Sequence, residues 1–261
     1  MVYKVQSPIC LITFNRPDHT EEVLRCLRDV EPAKLYVVRD GPRLDRAGES
    51  EACEKVKKIV EECVSWDCEI FWKVRSENAG CRKNVSEGIT WFFEQEEEGI
   101  ILEDDCVPDI SFFRYCDELL ERYRNEPRIV CISGSCFAAP KLKNYPYSYY
   151  FSIFNHCWGW ASWSRAWQHY ESSMDSFDPD QCMDFLCDEM QMSRKHAEAW
   201  VKRFASVAEG RLNTWDYIWT YSCWLKHGLT CLPTRNLVKN IGFDELATHT
   251  QQGYNVADRA D

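Results

Sequence analysis

The stretch Gly99-Ile100-Ile101-Leu102-Glu103-Asp104-Asp105-Cys106-Val107-Pro108-Asp109 narrows what this chain can fold into. Ile100 to Leu102 are apolar with β-branched character and read as the end of a short buried strand. Three carboxylates follow at once, then Pro108, which cannot continue a central ladder. The acids therefore stand where a strand leaves its sheet, and open α/β sheets place their ligands outside such strand ends. Adjacent, partly desolvated carboxylates repel one another, and a positive group relieves them. A hard divalent cation, Mn²⁺ or Mg²⁺, takes carboxylate oxygen together with phosphate oxygens and water, so the stretch is a candidate metal site. A lone acidic turn is more often solvated surface; the buried strand just before this one argues against that.

The rest of the first half repeats a strand-then-helix pattern. Ser7 to Phe14 is an apolar run of strand length, and Pro17 opens a helix where a missing N–H is harmless. Val23, Leu24, Leu27 and Val30 supply its apolar face. Leu35 to Val38 is a second buried strand, stopped by the Asp40-Gly41-Pro42 turn. A charged helix covers Glu49 to Cys63, and Glu69 to Val74 reads as a third strand. The loop from Glu77 to Asn84 leads into a helix expected to end at Glu98-Gly99. This alternation predicts an α/β, Rossmann-like fold: one domain over 1–261 with a mostly parallel central sheet flanked by helices. The domain is read as built in two halves, 1–109 and 110–261. The strand ends then collect Thr13 to Arg16, Asp40 to Arg43, the 78–83 loop and Glu103 to Asp105 on one edge.

In the second half a helix from Ile110, with Phe112, Phe113, Cys116, Leu119, Leu120 and Tyr123 inward, leads to a strand at Ile129 to Gly134. The chain then turns aromatic, through Tyr145 to Phe151 and on to Trp158-Gly159-Trp160. Gly159 between two tryptophans allows backbone to approach a ligand closely, although aromatic core or an interface has the same composition. The polar stretch from Asp175 to Lys195 reads as helical and peripheral. Asn213 begins a further helix with Asp216 in its first turn, flanked by Trp215 and Tyr217; the plain alternative is a carboxylate serving the helix dipole.

Net charge of −11 disfavours nucleic acid as a partner. It also repels anionic membranes overall, although a local basic patch is compatible with peripheral docking. Met1 to Asn15 is too short and too polar for a signal peptide or a membrane span. The fifteen cysteines contain no C-x-x-C and do not form a zinc pattern. They read as small buried hydrophobes in a reducing, cytoplasmic setting.

On these residues the chain resembles the metal-dependent nucleotide-sugar glycosyltransferases of the GT-A fold. The likeness rests on the Ile12-Thr13-Phe14-Asn15-Arg16-Pro17 opening, the Asp40-Gly41 turn, the Asn78-Ala79-Gly80…Asn84 loop, and Glu103-Asp104-Asp105 as a D-x-D type motif. It spans nearly the whole chain against bacterial family 2-like sugar transferases. A more specific resemblance is to the Golgi N-acetylglucosaminyltransferases that extend mannose, through the Glu-Asp-Asp after an apolar strand, Pro108 to Phe113 as a helix start, and Trp215-Asp216.

The resemblance implies a UDP-sugar donor, a glycan or glycoconjugate acceptor, and a Mn²⁺ or Mg²⁺ ion. Asp105 would ligate the metal, with His249 completing that site. Glu103 and Asp104 would reach the ribose or donor sugar, and Asp40 would accept from the base. Thr13 and Asn15 belong to the donor-side opening, and Arg16, Arg43 and Arg82 are phosphate candidates by charge and placement. Trp158, Gly159, Trp160 and Trp215 would face the acceptor, and Asp216 would be the base of an inverting transfer. No counterpart of the Golgi enzymes' anchor and stem is expected, and the sugar and acceptor stay open. Two other functions fit. A sugar-nucleotide pyrophosphorylase shares the strand order and metal need, but wants a glycine-rich basic loop where Asn15-Arg16-Pro17-Asp18 stands. A non-catalytic carbohydrate-binding protein has no use for the retained acids and Asp216.

Overall fold

The computed structural model describes residues 3–142 and 144–243. The chain opens with β1 (Ile9–Thr13), α1 (Pro17–Val30), β2 (Lys34–Arg39), α2 (Glu49–Cys63), β3 (Glu69–Val74), α3 (Cys81–Phe93) and β4 (Glu98–Glu103). Pro17 sits in the first turn of α1, and Val23, Leu24, Leu27 and Val30 are its buried face. The helix before the acidic stretch ends at Phe93, earlier than its pattern suggests, and Glu98 and Gly99 open β4 instead. Gly99 is a close-approach residue and not a helix cap: a Cβ there would run into the Phe92 ring and Pro8 O.

The second half continues with β5 (Cys106–Pro108), α4 (Ile110–Tyr123), β6 (Ile129–Ser133), β7 (Tyr149–Ser152), β8 (Trp160–Trp163), α5 (Ser164–Trp167), α6 (Pro179–Asp184), α7 (Arg194–Ala208), α8 (Asp216–Leu225), β9 (Leu229–Pro233) and β10 (Val238–Asn240). The Asp109 carboxylate caps α4, accepting from Ser111 N at 2.8 Å. The 175–195 stretch is less regular than expected, a short α6 followed by a π-helical turn over Phe185–Glu189. It is also less peripheral, because Cys182 and Leu186 are buried with Phe204 and Trp224.

One eight-stranded sheet runs in the order β3-β2-β1-β4-β8-β6-β9-β7. Parallel pairing joins β3, β2, β1 and β4, and joins β6 to β9; β8 runs antiparallel to both β4 and β6, and β7 antiparallel to β9. This is the mostly parallel, Rossmann-like α/β architecture expected. The period of two sorts β1 onto two faces. Ile9 and Leu11 pack with the α1 and α4 side chains, whereas Cys10 and Ile12 pack with Ile89, Phe92, Trp160 and Trp219. Pro108 does not end pairing. It lies in a separate two-stranded ribbon, β5 against β10, opposite Val238. The Asp104-Asp105 turn is the corner between the sheet and this ribbon.

All fifteen cysteines are free thiols; nine are buried and the rest half-buried, which fits their use as small packing residues. Among the described residues no helix is long and apolar enough to cross a membrane. Leu11→Ala empties a fully buried position and is expected to cost about 3 kcal/mol in urea denaturation, whereas the same change at Leu44, 81% exposed, is expected to cost under about 0.5 kcal/mol.

Candidate functional site

The ends of β1, β2, β3 and β4 meet on one rim, and hydrogen bonds knit them together. Asp40 is buried and accepts from Gly41 N (2.9 Å), Ala79 N (2.9 Å), Asn78 Nδ2 (3.0 Å) and Gly80 N (3.1 Å). A carboxylate offers about four lone-pair sites, so Asp40 has none left for a nucleotide base. Its expected role is corrected: it pins the 78–80 loop to the turn after β2. Gly41 is required there, since a Cβ would overlap the Glu77 backbone.

Thr13 is also committed to the scaffold. It is buried, and its hydroxyl donates to Val38 O at 3.1 Å. Asn15 and Arg43 do reach the rim, on a residue that sequence reasoning missed. Buried Glu49 accepts from Asn15 Nδ2 (2.9 Å), Arg43 N (2.6 Å) and the Arg43 guanidinium. Burial pushes the Glu49 carboxyl up, but these hydrogen bonds outweigh it and hold the group below its usual range. The Arg43 guanidinium also lies 5.5 Å from the Phe14 ring centroid. The only sequence signal for Glu49 is its place at a helix start.

Arg16 is the counter-charge of the acidic motif. Its Nη2 pairs with Asp104 Oδ1 and lies 3.0 Å from Asp105 Oδ2. One guanidinium against three carboxylates leaves an excess of negative charge. Desolvation, with Asp105 and Asp104 close by, pushes the Glu103 carboxyl up to about 8. Desolvation also raises Asp104, against the pull of Arg16. Asp104 Oδ2 is buried with no hydrogen-bond partner.

Among the described residues no three His, Cys, Asp or Glu side chains form a ready-made cage. The hard oxygen donors, the surplus charge and the orphaned Asp104 oxygen fit an ion that takes one or two carboxylates and completes its shell with substrate phosphate and water. His249 lies outside the described residues. The β5–β10 ribbon brings a different piece of chain to Asp105. Ile241 N donates to Asp105 O at 2.8 Å, and a side chain at Gly242 would collide with the Asp105 carboxylate. Sequence reasoning passed over Gly242 because nothing local ties it to the acids.

Asp216 opens α8 and accepts from Thr214 Oγ1. It is within electrostatic reach of Glu103 at the end of β4. The Cys81 thiol is raised by burial, with contributions from Glu103, Asp216, Asp105 and Asp40, and the Cys157 thiol by burial, with contributions from Asp216 and Glu103 among others. Glu103 and Asp216 are thus within electrostatic reach of both thiols, and Asp105 of Cys81. Arg82 is not with them. Its guanidinium donates to Ser172 O and to Val207 O (3.4 Å), tying α3 to the second half.

Of the four residues expected at the acceptor, two are core. Trp160 is 0% exposed and stacks on Trp215 at 5.7 Å, and Trp215 is buried in turn, so neither offers a ring face to a ligand. They back the start of α8 and so hold Asp216 in place. Gly159 has φ +63° and is buried against Val238, so its glycine serves the ribbon, not a ligand. Trp158 alone stays partly exposed, edge-on to Phe137 (5.2 Å) and Phe243 (5.4 Å).

No protein-family model matches the chain, and no curated protein matches it. Solved structures do show a likeness. The 4-diphosphocytidyl-2C-methyl-D-erythritol synthase of Anaerococcus prevotii aligns at 14% identity and a TM-score of 0.40, over 66% of this chain and 79% of that one. A UDP-glucose pyrophosphorylase complexed with UDP-glucose aligns at 10% identity and a TM-score of 0.30, over 49% of this chain and 56% of that one. Likeness at this level says nothing of activity, and the description of the fold rests on the strand order itself.

Two outcomes test the charge balance of the rim. Arg16→Met removes the partner of buried Asp104 and is expected to destabilise the fold by about 3 kcal/mol in urea denaturation at neutral pH. The pH dependence follows from Glu103, whose folded carboxyl sits above its ordinary 4.5, at about 8. The folded state therefore holds an extra proton across that window, and stability falls as pH rises through it. Glu103→Gln is expected to flatten this fall, measured as urea midpoints between pH 5 and pH 8.

Proposed function

We propose that this chain is a metal-dependent glycosyltransferase that moves a sugar from a nucleoside-diphosphate donor, a UDP-sugar, to a hydroxyl of a glycan or glycoconjugate. The observation that carries the reading is the group of acids at the end of β4, Glu103, Asp104 and Asp105, met by the single guanidinium of Arg16 and with Asp104 Oδ2 buried and unpartnered. The Asp216 carboxylate at the start of α8 is within electrostatic reach of Glu103. The β4 acids suit a diphosphate and its cation, and Asp216 suits a base. Asp105, with Glu103 beside it, would hold Mn²⁺ or Mg²⁺, which when bound neutralises charge developing on the diphosphate leaving group. Arg16 adds a fixed positive charge on the same side. Asp216 has one oxygen occupied by Thr214, which orients it, and the other oxygen is left to take a proton from an acceptor hydroxyl. A base placed opposite the leaving group gives inversion.

Nucleotidyl transfer, as in a sugar-nucleotide pyrophosphorylase, is the second reading. One of the two solved structures is a UDP-glucose pyrophosphorylase, but likeness at that level decides no activity. The loop after β1 speaks against it, since Arg16 there is bound to the acidic motif and Pro17 has no amide N–H for a phosphate.

The two readings give different products. Calorimetric titration with UDP, GDP and CDP, with and without Mn²⁺, is expected to find one nucleotide whose binding needs the metal and drops at least tenfold in Asp105→Ala. With the matching nucleotide sugar and an acceptor, nucleoside diphosphate is released, and Asp216→Asn lowers that turnover at least a hundredfold with little change in nucleotide affinity. Nucleoside triphosphate formed from pyrophosphate would establish the second reading instead. No metal-dependent binding at all would leave a carbohydrate-binding protein.

A further inference from the structure

A groove of about 690 Å³ runs along the outer face of α3, apart from the acidic rim. Arg82, Lys83, Ser86, Glu87, Thr90, Trp91 and Glu94 recur along it at helical spacing, so one side of the groove follows the helix for about 18 Å, at about 1.5 Å per residue. Lys73 on β3 closes one wall. Tyr170, Ser172 and Asn213 from the second half close the other.

The charge of this groove runs against that of the chain. Arg82 is held by two backbone carbonyls, which fix its position without cancelling its charge. Lys83 is exposed and has no acidic partner among the described residues within ion-pair distance. Lys73 Nζ stands 5.7 Å from the Trp91 ring centroid, facing an aromatic surface and no carboxylate. Of the two acids in the lining, Glu87 is already paired with Arg75. Three cations therefore stand against one unpaired acid, in a protein of net charge −11.

The remaining wall chemistry suits a saccharide. Trp91 offers an aromatic surface and Asn213 an amide, the pairing that stacks on an apolar sugar face and hydrogen-bonds its hydroxyls. The Tyr170 hydroxyl is buried beside Ser86 without a hydrogen bond of acceptable geometry. Through Asn213 the groove borders the loop that Asp40 pins. Asn213 Nδ2 would lie 3.0 Å from a Cβ at Gly80, whose N–H binds Asp40, and Asn213 stands three residues before Asp216.

We infer that this groove receives the acceptor and that the acceptor is an anionic saccharide, one bearing a carboxylate or a phosphate, held by Lys73, Arg82 and Lys83 with a ring against Trp91. This names the substrate class of the transferase proposed above and rests on that reading.

The experiment is calorimetric titration of the full chain with tetragalacturonate, mannose 6-phosphate and chitotetraose as carboxylate, phosphate and neutral probes. At least one anionic probe is expected to bind tenfold or more tighter than chitotetraose, with affinity falling as salt is raised. Which of the two binds tells carboxylate from phosphate. Lys73→Glu with Lys83→Glu is expected to lower that affinity at least tenfold, while Lys73→Arg with Lys83→Arg retains it; unchanged melting temperatures exclude misfolding. Equal binding of charged and neutral probes, no binding by any probe, or indifference to the charge reversal overturns the inference. A separate UDP titration with Mn²⁺ keeps the two claims apart. Nucleotide binding without anionic preference overturns the groove and spares the transferase; anionic preference without nucleotide binding keeps a saccharide site and removes the transfer.

Discussion

The pairing of Arg16 with Asp104 and Asp105 is the interaction on which the rim depends. It joins the residue after β1 to the turn after β4, two central parallel strands whose ends carry the site. A guanidinium is suited to this place because it stays charged when desolvated and can touch two carboxylates at once. It does not balance them, and the surplus negative charge is what the proposed cation would neutralise. Around it the neighbouring loops neutralise themselves: Asp40 is consumed by backbone amides and Glu49 by Asn15 and Arg43. The free chemistry of the edge is thereby concentrated on one group of acids.

Much of this was legible in the sequence, because buried parallel strands announce themselves as continuous apolar runs and their ends as abrupt polar turns. The limits of α2 and β3 and the inward face of α1 follow from pattern alone. The convergence of Arg16 with the acidic motif follows from parallel order, without any knowledge of contacts. What failed were the individual roles. Asp40, Thr13, Trp160 and Gly159 look like site residues because they have the right types at the right strand ends. Whether such a group faces a ligand or the scaffold depends on which donors and rings arrive from distant segments. Asn78 and Ala79 fill Asp40, and Trp215 covers Trp160. Gly242 was missed for the same reason in reverse, since only the ribbon pairing brings it to Asp105. Gly99, beside a run of acids, has the pattern of a helix end, yet it makes room for a crossing ring.

The aromatic second half illustrates how composition misleads about position. Trp160, Trp167, Trp215 and Trp219 form a packed cluster, with ring centroids about 5 to 6 Å apart, beneath the rim. Their bulk does not touch a substrate; it fixes the first turn of α8 and hence the position of Asp216. Rigid backing of this kind is what the base proposed at Asp216 would require, since a displacement of about 1 Å costs far more rate than a lost surface contact.

The insertion of β8 between β4 and β6 has a consequence for how the chain acquires its shape. The four parallel strands of the first half have all emerged once Glu103 is synthesised, yet β4 then pairs on one side only, with β1. Its other edge, apolar through Ile100 to Leu102, waits for Trp160 to Trp163, which pair with it in the opposite direction. During that interval the nascent chain carries an exposed hydrophobic edge, the kind of surface that recruits foreign strands. Closure of the sheet is thus a late event coupled to the arrival of the tryptophan cluster, and the acids at the end of β4 gain their finished surroundings only when the second half has folded over them.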